Sequence, residues 1–295
     1  METKLGDKKQ MRILVTGGAG FIGTNIIEKL IKGGHDVVSI DNYYTGFKSN
    51  EHEGAQYIHG DIREEGILDG IDNIDLIYHL AALARIQPSF EEPTPTIDTN
   101  TQGTQRVLEY ARQNGNIPVV YAGSSSVHGN VHANPYSFSK WQGEELVKLY
   151  HQIYELPTIV CRFYNVYGPK QLVDGPYCTV VGVFMKQYED KQDITITWDG
   201  EQRRDFTHVY DIVNGLILSG EKLVDGEVNG QFFELGSGEN YSINQLAEAF
   251  GEHPKVKIPK RPGEMRETLC TDTLANELLG WEPKENLIKW VKETI

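Results

Sequence analysis

The sequence predicts an α/β fold: a doubly wound, mostly parallel sheet with helices on both faces and a smaller C-terminal lobe. Three observations predict it. Short apolar runs alternate with longer segments whose apolar residues recur at helical spacing. The first run breaks into a cluster of glycines. Each of the first runs ends in small or acidic residues, where an open parallel sheet keeps its ligand crevice.

The stretch at 11–23 reads MRILVTGGAGFIG. Ile13, Leu14 and Val15 make a run too brief for a helix, and Gly17, Gly18, Gly20 and Gly23 precede an apolar periodicity at Ile22, Ile26, Ile27 and Leu30. That is strand, glycine turn, helix. The Gly17-x-x-Gly20-x-x-Gly23 spacing suits a Rossmann-type site, which needs a tight turn, a backbone close to a pyrophosphate and a helix packed hard on the sheet. The helix start at Phe21 and Ile22 would turn its free N–H groups on that dianion. A second run, at 37–40, ends in Asp41 and Asn42, with Asp41 18 residues after Gly23. There a carboxylate can accept both hydrogen bonds of an adenosine ribose and repel a 2′-phosphate, which favours NAD over NADP. The third, at 56–59, ends in Gly60, Asp61 and Ile62, a contact for the adenine amino group. The fourth, at 76–80, closes with Leu80 before Ala81 and Ala82, whose small side chains let a flat ring or a phosphate approach. Four such ends in register read as a dinucleotide site.

The composition fits this reading. A chain of 295 residues with 39% hydrophobic content can bury a full core with a lobe grown onto it. Residues 1–10 are polar and charged and read as a flexible lead-in without an apolar signal region, and no run of apolar residues is long enough to span a bilayer. A cytoplasmic protein without membrane association is therefore expected. Cys161, Cys178 and Cys270 are odd in number and far apart, so no disulfide framework is expected, and no Cys/His spacing resembles a metal site. A net charge of −14 argues against a nucleic-acid surface, though local arginines can still bind a small anion.

Further along, 42–46 reads as a loop over the adenosine, and the three prolines of 88–98 as a break before a helix at 101–113, with Val107, Leu108 and Ala111 on its apolar side. A fifth strand at 117–121 stops in Ala122-Gly123-Ser124-Ser125-Ser126. The helix from Pro135 carries Tyr136, Lys140, Glu144 and Lys148 on one side and Leu146, Leu149 and Ile153 on an apolar one. A sixth strand at 158–163 leaves the sheet through a turn-rich exit at 164–169. The rhythm then fails. The expected division is a Rossmann domain at 11–169, to which 203–236 returns, and a substrate-binding lobe from 170–202 and 237–295, with a helix near 179–188 and a strand at 194–198. Within the returning segment, a helix at 211–218 and a strand at 231–235 are expected.

The candidate chemistry sits at the fifth strand end and on the following helix. Tyr136 and Lys140 lie one turn apart. An ammonium beside a phenol favours the phenolate and lowers a pKa that is ordinarily about 10. The product is a base able to take a proton from a sugar hydroxyl near neutral pH. Ser124 could hydrogen-bond the same hydroxyl, and Ser125 or Ser126 could take that part instead. Oxidation of an alcohol needs a base at oxygen, a hydride acceptor facing carbon and a group that fixes the oxygen.

Residues 11 to about 290 resemble the extended short-chain dehydrogenase/reductase family, in its nucleotide-sugar epimerase and dehydratase branch. The stretches that carry the resemblance are TGGAGFIG (16–23), Asp41-Asn42, Gly60-Asp61, HLAA (79–82), Asn100-x-x-Gly103-Thr104, SSSVHG (124–129), YSFSK (136–140), RFYNVYGP (162–169), RRDFTHVYD (203–211) and RPGE (261–264). The resemblance implies a tightly held NAD, contacted also by Asn100, Tyr136 and Lys140, and a nucleoside-diphosphate sugar as substrate. It further implies a homodimer through helices near 92–114 and 136–154. Asn165, Arg204 and Arg261 match groups at the substrate diphosphate and ribose, and Ser125, Ser126 and His128 would line the sugar pocket. Two departures stand out. His128 replaces the family's usual tyrosine, and the interval from Ser124 to Tyr136 is shorter than is usual in the branch, which predicts a more open pocket.

The serine turn bears on the reaction. Dehydratase relatives place Asp-Glu or Glu where this chain has Ser125 and Ser126, and UDP-glucuronate decarboxylase relatives usually place a glutamate in the same turn. Lys170 stands where a 3,5-epimerase/reductase relative has its histidine. The expected reaction is oxidation at C4, rotation of the keto sugar and return of the hydride to the other face: a nucleotide-sugar 4-epimerase, an isomerase. A divergent 4,6-dehydratase or decarboxylase, a 4-ketoreductase, and a non-enzymatic NAD-binding regulator are the alternatives.

Overall fold

The structure is a computed structural model that describes residues 10–295, so the expected lead-in, apart from Gln10, lies outside the described residues. The chain opens with β1 (Arg12–Thr16), α1 (Phe21–Lys32), β2 (Asp36–Asp41), β3 (Ala55–His59) and β4 (Leu76–His79). Two short helices, α2 (Ile86–Glu91) and α3 (Pro93–Ile97), follow, then a π-helical turn at Asp98–Gly103 that runs into α4 (Thr104–Gln113). Next come β5 (Val119–Ser124), α5 (Pro135–Tyr154), β6 (Thr158–Phe163), β7 (Asn165–Tyr167), α6 (Val180–Glu189), β8 (Ile194–Thr197), β9 (Arg203–His208) and α7 (Val209–Val224). The chain ends with β10 (Gln231–Leu235), β11 (Asn240–Ser242), α8 (Ile243–Glu248), β12 (Lys255–Ile258), α9 (Leu274–Leu279) and α10 (Leu287–Thr294).

Seven strands form the main sheet in the order β10-β6-β5-β4-β1-β2-β3, and all its pairings are parallel. Both faces are covered, and β1 shows why its sequence reads as an unbroken apolar run. Ile13 and Val15 point into one core with Ile26, Leu216 and Phe233, while Leu14 points into the other with Val107, Leu108 and Val147. Each such side chain contributes roughly 1.5–3 kcal/mol by leaving water. The chain winds from β1 outward to β3, then returns to β4 beside β1 and winds the other way. The strand order therefore reverses between β1 and β4, where an open α/β sheet leaves a crevice at its carboxyl ends.

The remaining strands make two small sheets, β11-β9-β7 and β12-β8, over a third core built on Tyr167, Phe184, Phe206 and Leu246. Thus 165–167, expected as part of a turn, is a short strand paired in parallel with β9. Helix α7 packs on the main sheet and β10 joins its edge, whereas β9, between them and the lobe, stays in the three-stranded sheet. The proline-rich break is helical instead. Pro93 opens α3 at a position where a missing N–H costs no hydrogen bond. Helix α5 differs from expectation in part: Leu146 packs on the core with Val147 and Tyr150, but Lys140 and Glu144 are buried at 4% and 2% exposure, while Leu149 and Ile153 stand out at 47% and 63%. Among the described residues no helix is long and apolar enough to cross a membrane.

Candidate active site

The carboxyl ends of β1, β2, β4, β5 and β6 open into a cavity of about 480 Å³ that continues under the small lobe. Gly17, Gly20, Phe21, Ile22 and Gly23 line one end, with Asp41, Asn42, Asp61 and Ile62 beside them. Leu80, Ala81, Ala82, Ser124, Ser125, Ser126, Tyr136 and Lys140 line the middle, and Asn165, Arg204 and Arg261 the end beneath the lobe. Two expected residues lie outside the lining. The Asn100 side chain donates to Leu83 O and Ser139 Oγ and accepts from Leu83 N, so its amide pins the chain after β4 to α5. The His128 ring pairs through Nε2 with Glu234 Oε1, near the end of β10, at 2.9 Å.

The glycine end fits a dinucleotide on its own geometry. Gly17 has φ +76°, and a Cβ there would lie 2.9 Å from the Ala81 backbone, so the turn is held against the end of β4. A Cβ on Gly23 would lie 2.1 Å from Gly17 O, which only glycine avoids. Helix α1 starts without a side-chain cap, and its first residues line the cavity, leaving backbone N–H groups for an anion. The Asp41 carboxylate accepts from Ala19 N at 2.9 Å and Tyr43 N at 2.7 Å, bracing the glycine turn and the 42–46 loop while facing the crevice. Burial pushes its pKa up, and those backbone donors pull it back. Asp61 is held down to about 2 by Arg63, and it also accepts from Asn42 Nδ2, so its carboxylate orders the adenine end.

At the centre, Tyr136 Oη donates to Ser124 Oγ at 3.1 Å. Asn134 caps α5 through Ser137 N, and this cap together with Pro135 at the first helical position points Tyr136 back at the end of β5. The short 124–136 interval is bridged by two single 3₁₀ turns, so the serine and the phenol meet without a long loop. The Lys140 ammonium is held by a partner other than the phenol. Its Nζ donates to Ala122 O and sits 4.3 Å from the centre of the Tyr121 ring, and burial lowers its pKa to about 8. Burial also raises the Tyr136 pKa, with Glu144 acting in the same direction. The Ser124 bond and the field of Arg85 work against them. Ser126 Oγ is buried in the cavity wall without a hydrogen-bond partner among the described residues, an orphan that a ligand would satisfy.

Beneath the serine turn lies a charged network absent from the sequence reading. Arg162 donates from Nη2 to Glu144 Oε2 at 2.7 Å and from Nη1 to Glu234 Oε1 at 2.9 Å, and Glu144 Oε1 reaches Ser124 N at 3.5 Å. The network carries the serine backbone on the same groups that hold α5 to β6. At the lobe end, Asn165 Nδ2 donates to Asp205 O at 2.8 Å, and Arg204 faces Glu264 at 3.7 Å. The sequence reading also missed Arg85, Tyr177 and Gln202 in the cavity wall. Arg85 had one signal, a cation placed directly after the small residues that end β4. Tyr177 and Gln202 come from segments without strand-end logic, and only the folded lobe brings them over the crevice.

Three similarities bear on this arrangement. A UDP-N-acetyl-alpha-D-glucosaminuronate decarboxylase of Bacillus cytotoxicus is 32% identical over 86% of this chain and 84% of its own length. The structure of a UDP-glucose 4-epimerase from Thermotoga maritima with UDP-glucose superposes with a TM-score of 0.90 at 31% identity, covering 96% of this chain and 97% of that one. A UDP-glucuronic acid 4-epimerase from Bacillus cereus, in complex with UDP-glucuronic acid and NAD, gives a TM-score of 0.87 at 27% identity over 96% and 97% of the two chains. The family model matches residues 13–236, which hold the glycine turn, the serine turn, Tyr136 and Lys140, and the chain belongs to the NAD dependent epimerase/dehydratase family.

Proposed function

We propose that this protein is an NAD-dependent nucleotide-sugar 4-epimerase that works through a transient 4-keto sugar. The observation that carries the reading is the Tyr136–Ser124 pair, 3.1 Å apart, in one cavity with the glycine turn and Lys140. NAD is the cofactor: Gly17, Gly20, Gly23 and the start of α1 would hold its pyrophosphate and Asp41 its adenosine ribose, and the solved Bacillus cereus relative contains it. Bound NAD supplies the acceptor and donor of hydride at C4. Ser124 fixes the C4 hydroxyl, and Tyr136, as the phenolate that the Ser124 hydrogen bond favours against burial, takes its proton at Oη and later returns it. Lys140, anchored on Ala122 O, adds positive charge to the same wall. Asn165, Arg204 and Arg261 would take the diphosphate end, where arginine forks suit phosphate oxygens.

Relatives with other reactions share this frame, and the acids lining the cavity support epimerisation over dehydration here. The carboxylates lining the cavity are Asp41 and Asp61 at the adenosine end and Glu264 beside Arg204. Removing a C6 hydroxyl needs a general acid at C6, and the serine turn offers hydroxyls only. A homodimer through the helices near 92–114 and 136–154 completes the proposal. Its support is the apolar surface that α5 shows to solvent, Trp141, Leu149, Ile153 and Tyr154.

The test is turnover of a panel of nucleotide sugars by protein purified without added NAD. An isomer of unchanged mass that keeps a C4 deuterium label, with no solvent deuterium at C5, is expected. Loss of water or of carbon dioxide, or solvent label at C5, would overturn the epimerase reading in favour of a dehydratase or decarboxylase.

A further inference from the structure

Arg85 lies in the cavity wall just beyond the end of β4, and nothing in the reaction above uses it. Its Nε donates to Tyr177 O at 2.8 Å and its Nη1 to Ala84 O at 2.9 Å. No carboxylate pairs with it among the described residues, and its Nη2 has no partner there. The other non-exposed cations near the crevice are engaged. Lys140 donates to Ala122 O, Arg204 faces Glu264, and Arg162 is shared between Glu144 and Glu234. A partly buried guanidinium without a counter-charge is destabilised, and burial does push the Arg85 pKa down. The fork is already aimed by two backbone carbonyls, which removes much of the entropy cost of binding an anion in two-point fashion.

Position says where that anion sits. The pyrophosphate of the cofactor belongs at the glycine turn, and the diphosphate of the sugar nucleotide at Arg204 and Arg261. Arg85 immediately precedes α2, which packs on α5, and it shares the cavity wall with Ser124, Ser126 and Tyr136; its charge acts in the same sense on the Tyr136 phenol and the Cys178 thiol. In a hexopyranose, C6 hangs from C5, the neighbour of C4. A group that faces the base at C4 therefore also faces the substituent at C6. Ser126 Oγ, unpartnered in the same wall, is a second donor for that substituent.

We propose that Arg85 selects the substrate by binding a carboxylate at C6, so that the preferred substrate is a nucleoside-diphosphate hexuronic acid rather than the neutral hexose. This rests on the nucleotide-sugar reading above and narrows it. The experiment compares kcat/KM of the NAD-loaded protein for glucuronate and glucose carried on the same nucleoside diphosphate, with uridine, thymidine and guanosine diphosphates in turn. The hexuronate is expected to be preferred by roughly 10- to 100-fold, the range of a hydrogen bond to a charged group. Arg85→Ser should bring the ratio to within about two-fold of one, and Arg85→Lys should keep part of it, while copurifying NAD and the Kd for the bare nucleoside diphosphate hold within about two-fold. Turnover of the neutral sugar by the unaltered protein with no preference for the hexuronate would overturn this assignment and leave the epimerase reading standing. An equal loss for both sugars and the bare diphosphate in Arg85→Ser would overturn it by placing Arg85 on phosphate, and loss of NAD by placing it on the cofactor. No binding of any sugar nucleotide by the NAD-loaded protein would remove both readings together.

Discussion

Helices α1 and α5 flank the same crevice and are built on opposite plans. Helix α1 buries Ile26, Ile27 and Leu30 against the sheet and turns Lys29 and Lys32 to water, as its periodicity indicates. Helix α5 buries Lys140 and Glu144 and turns Leu149 and Ile153 outward. The difference follows from what each helix holds. Helix α1 meets the crevice through its first turn, Phe21, Ile22 and Gly23, so the apolar side chains beyond it are free to make core. Helix α5 presents side chains, and their charges need a polar floor, supplied by Ala122 O and by Arg162 with Glu234 behind it. An amphipathic pattern marks which face differs from the other; on a helix that carries chemistry, it does not say which face is inside.

The comparison can be broken most sharply at Tyr136. Tyr136→Phe should lower turnover by roughly 10²- to 10⁴-fold, as removal of a positioned base does, while copurifying NAD and the unfolding midpoint stay unchanged. Turnover within a few-fold of the unaltered protein would remove the reason for burying polar groups on α5.

Next in size are two stability changes made by different means. Glu144→Ala should cost about 3–5 kcal/mol, because it leaves the Arg162 guanidinium under-compensated in a closed site. Ile26→Ala on α1 should cost about 2–5 kcal/mol through lost burial and a cavity. Urea unfolding of each variant separates them: replacing Arg162 by Met in the Glu144→Ala background should recover stability. If Glu144→Ala alone shifts stability by under 1 kcal/mol, α5 is not held by its charges.

The outer face of α5 gives a smaller energetic change with a large change in mass. Replacing Leu149 and Ile153 together by Lys should convert a dimer to a 33.3 kDa particle in light scattering, while altering the stability of the chain by less than about 0.5 kcal/mol, as is usual for exposed positions. A particle mass unaffected by the pair would send the proposed interface elsewhere.

The smallest expected effect is the pH response of the network beneath the serine turn. The bond to Glu234 raises the His128 pKa above its ordinary 6.5, so its contribution is complete below 6.5 and is lost as pH rises through the raised value. Glu234 moves the other way. Burial opposes its ionisation, but His128 and Arg162 outweigh burial and hold the carboxyl below 4.5, so its contribution disappears as pH falls through the lowered value. The stability that the unaltered protein has over His128→Asn should therefore be larger near pH 5.5 than near pH 8, as read from urea midpoints at the two values. The same difference at both would show that His128 is not protonated in the pair.

Local sequence determined the strands, the glycine turn and the order of their ends. Buried parallel strands must be apolar throughout, and a turn with φ +76° at Gly17 against the Ala81 backbone admits only glycine. The four strand ends that read as a dinucleotide site consequently do line one cavity. Tertiary structure decided what no local pattern encodes: which side of α5 is inside, that Lys140 turns to Ala122 O, that His128 leaves the cavity for Glu234, and that Arg85 stands in the wall beside Tyr136 without a counter-charge. In each case the deciding partner is at least 18 residues away along the chain, as in the 106 between His128 and Glu234. A charge goes where its desolvation is best compensated, and only the folded chain brings the compensating group there.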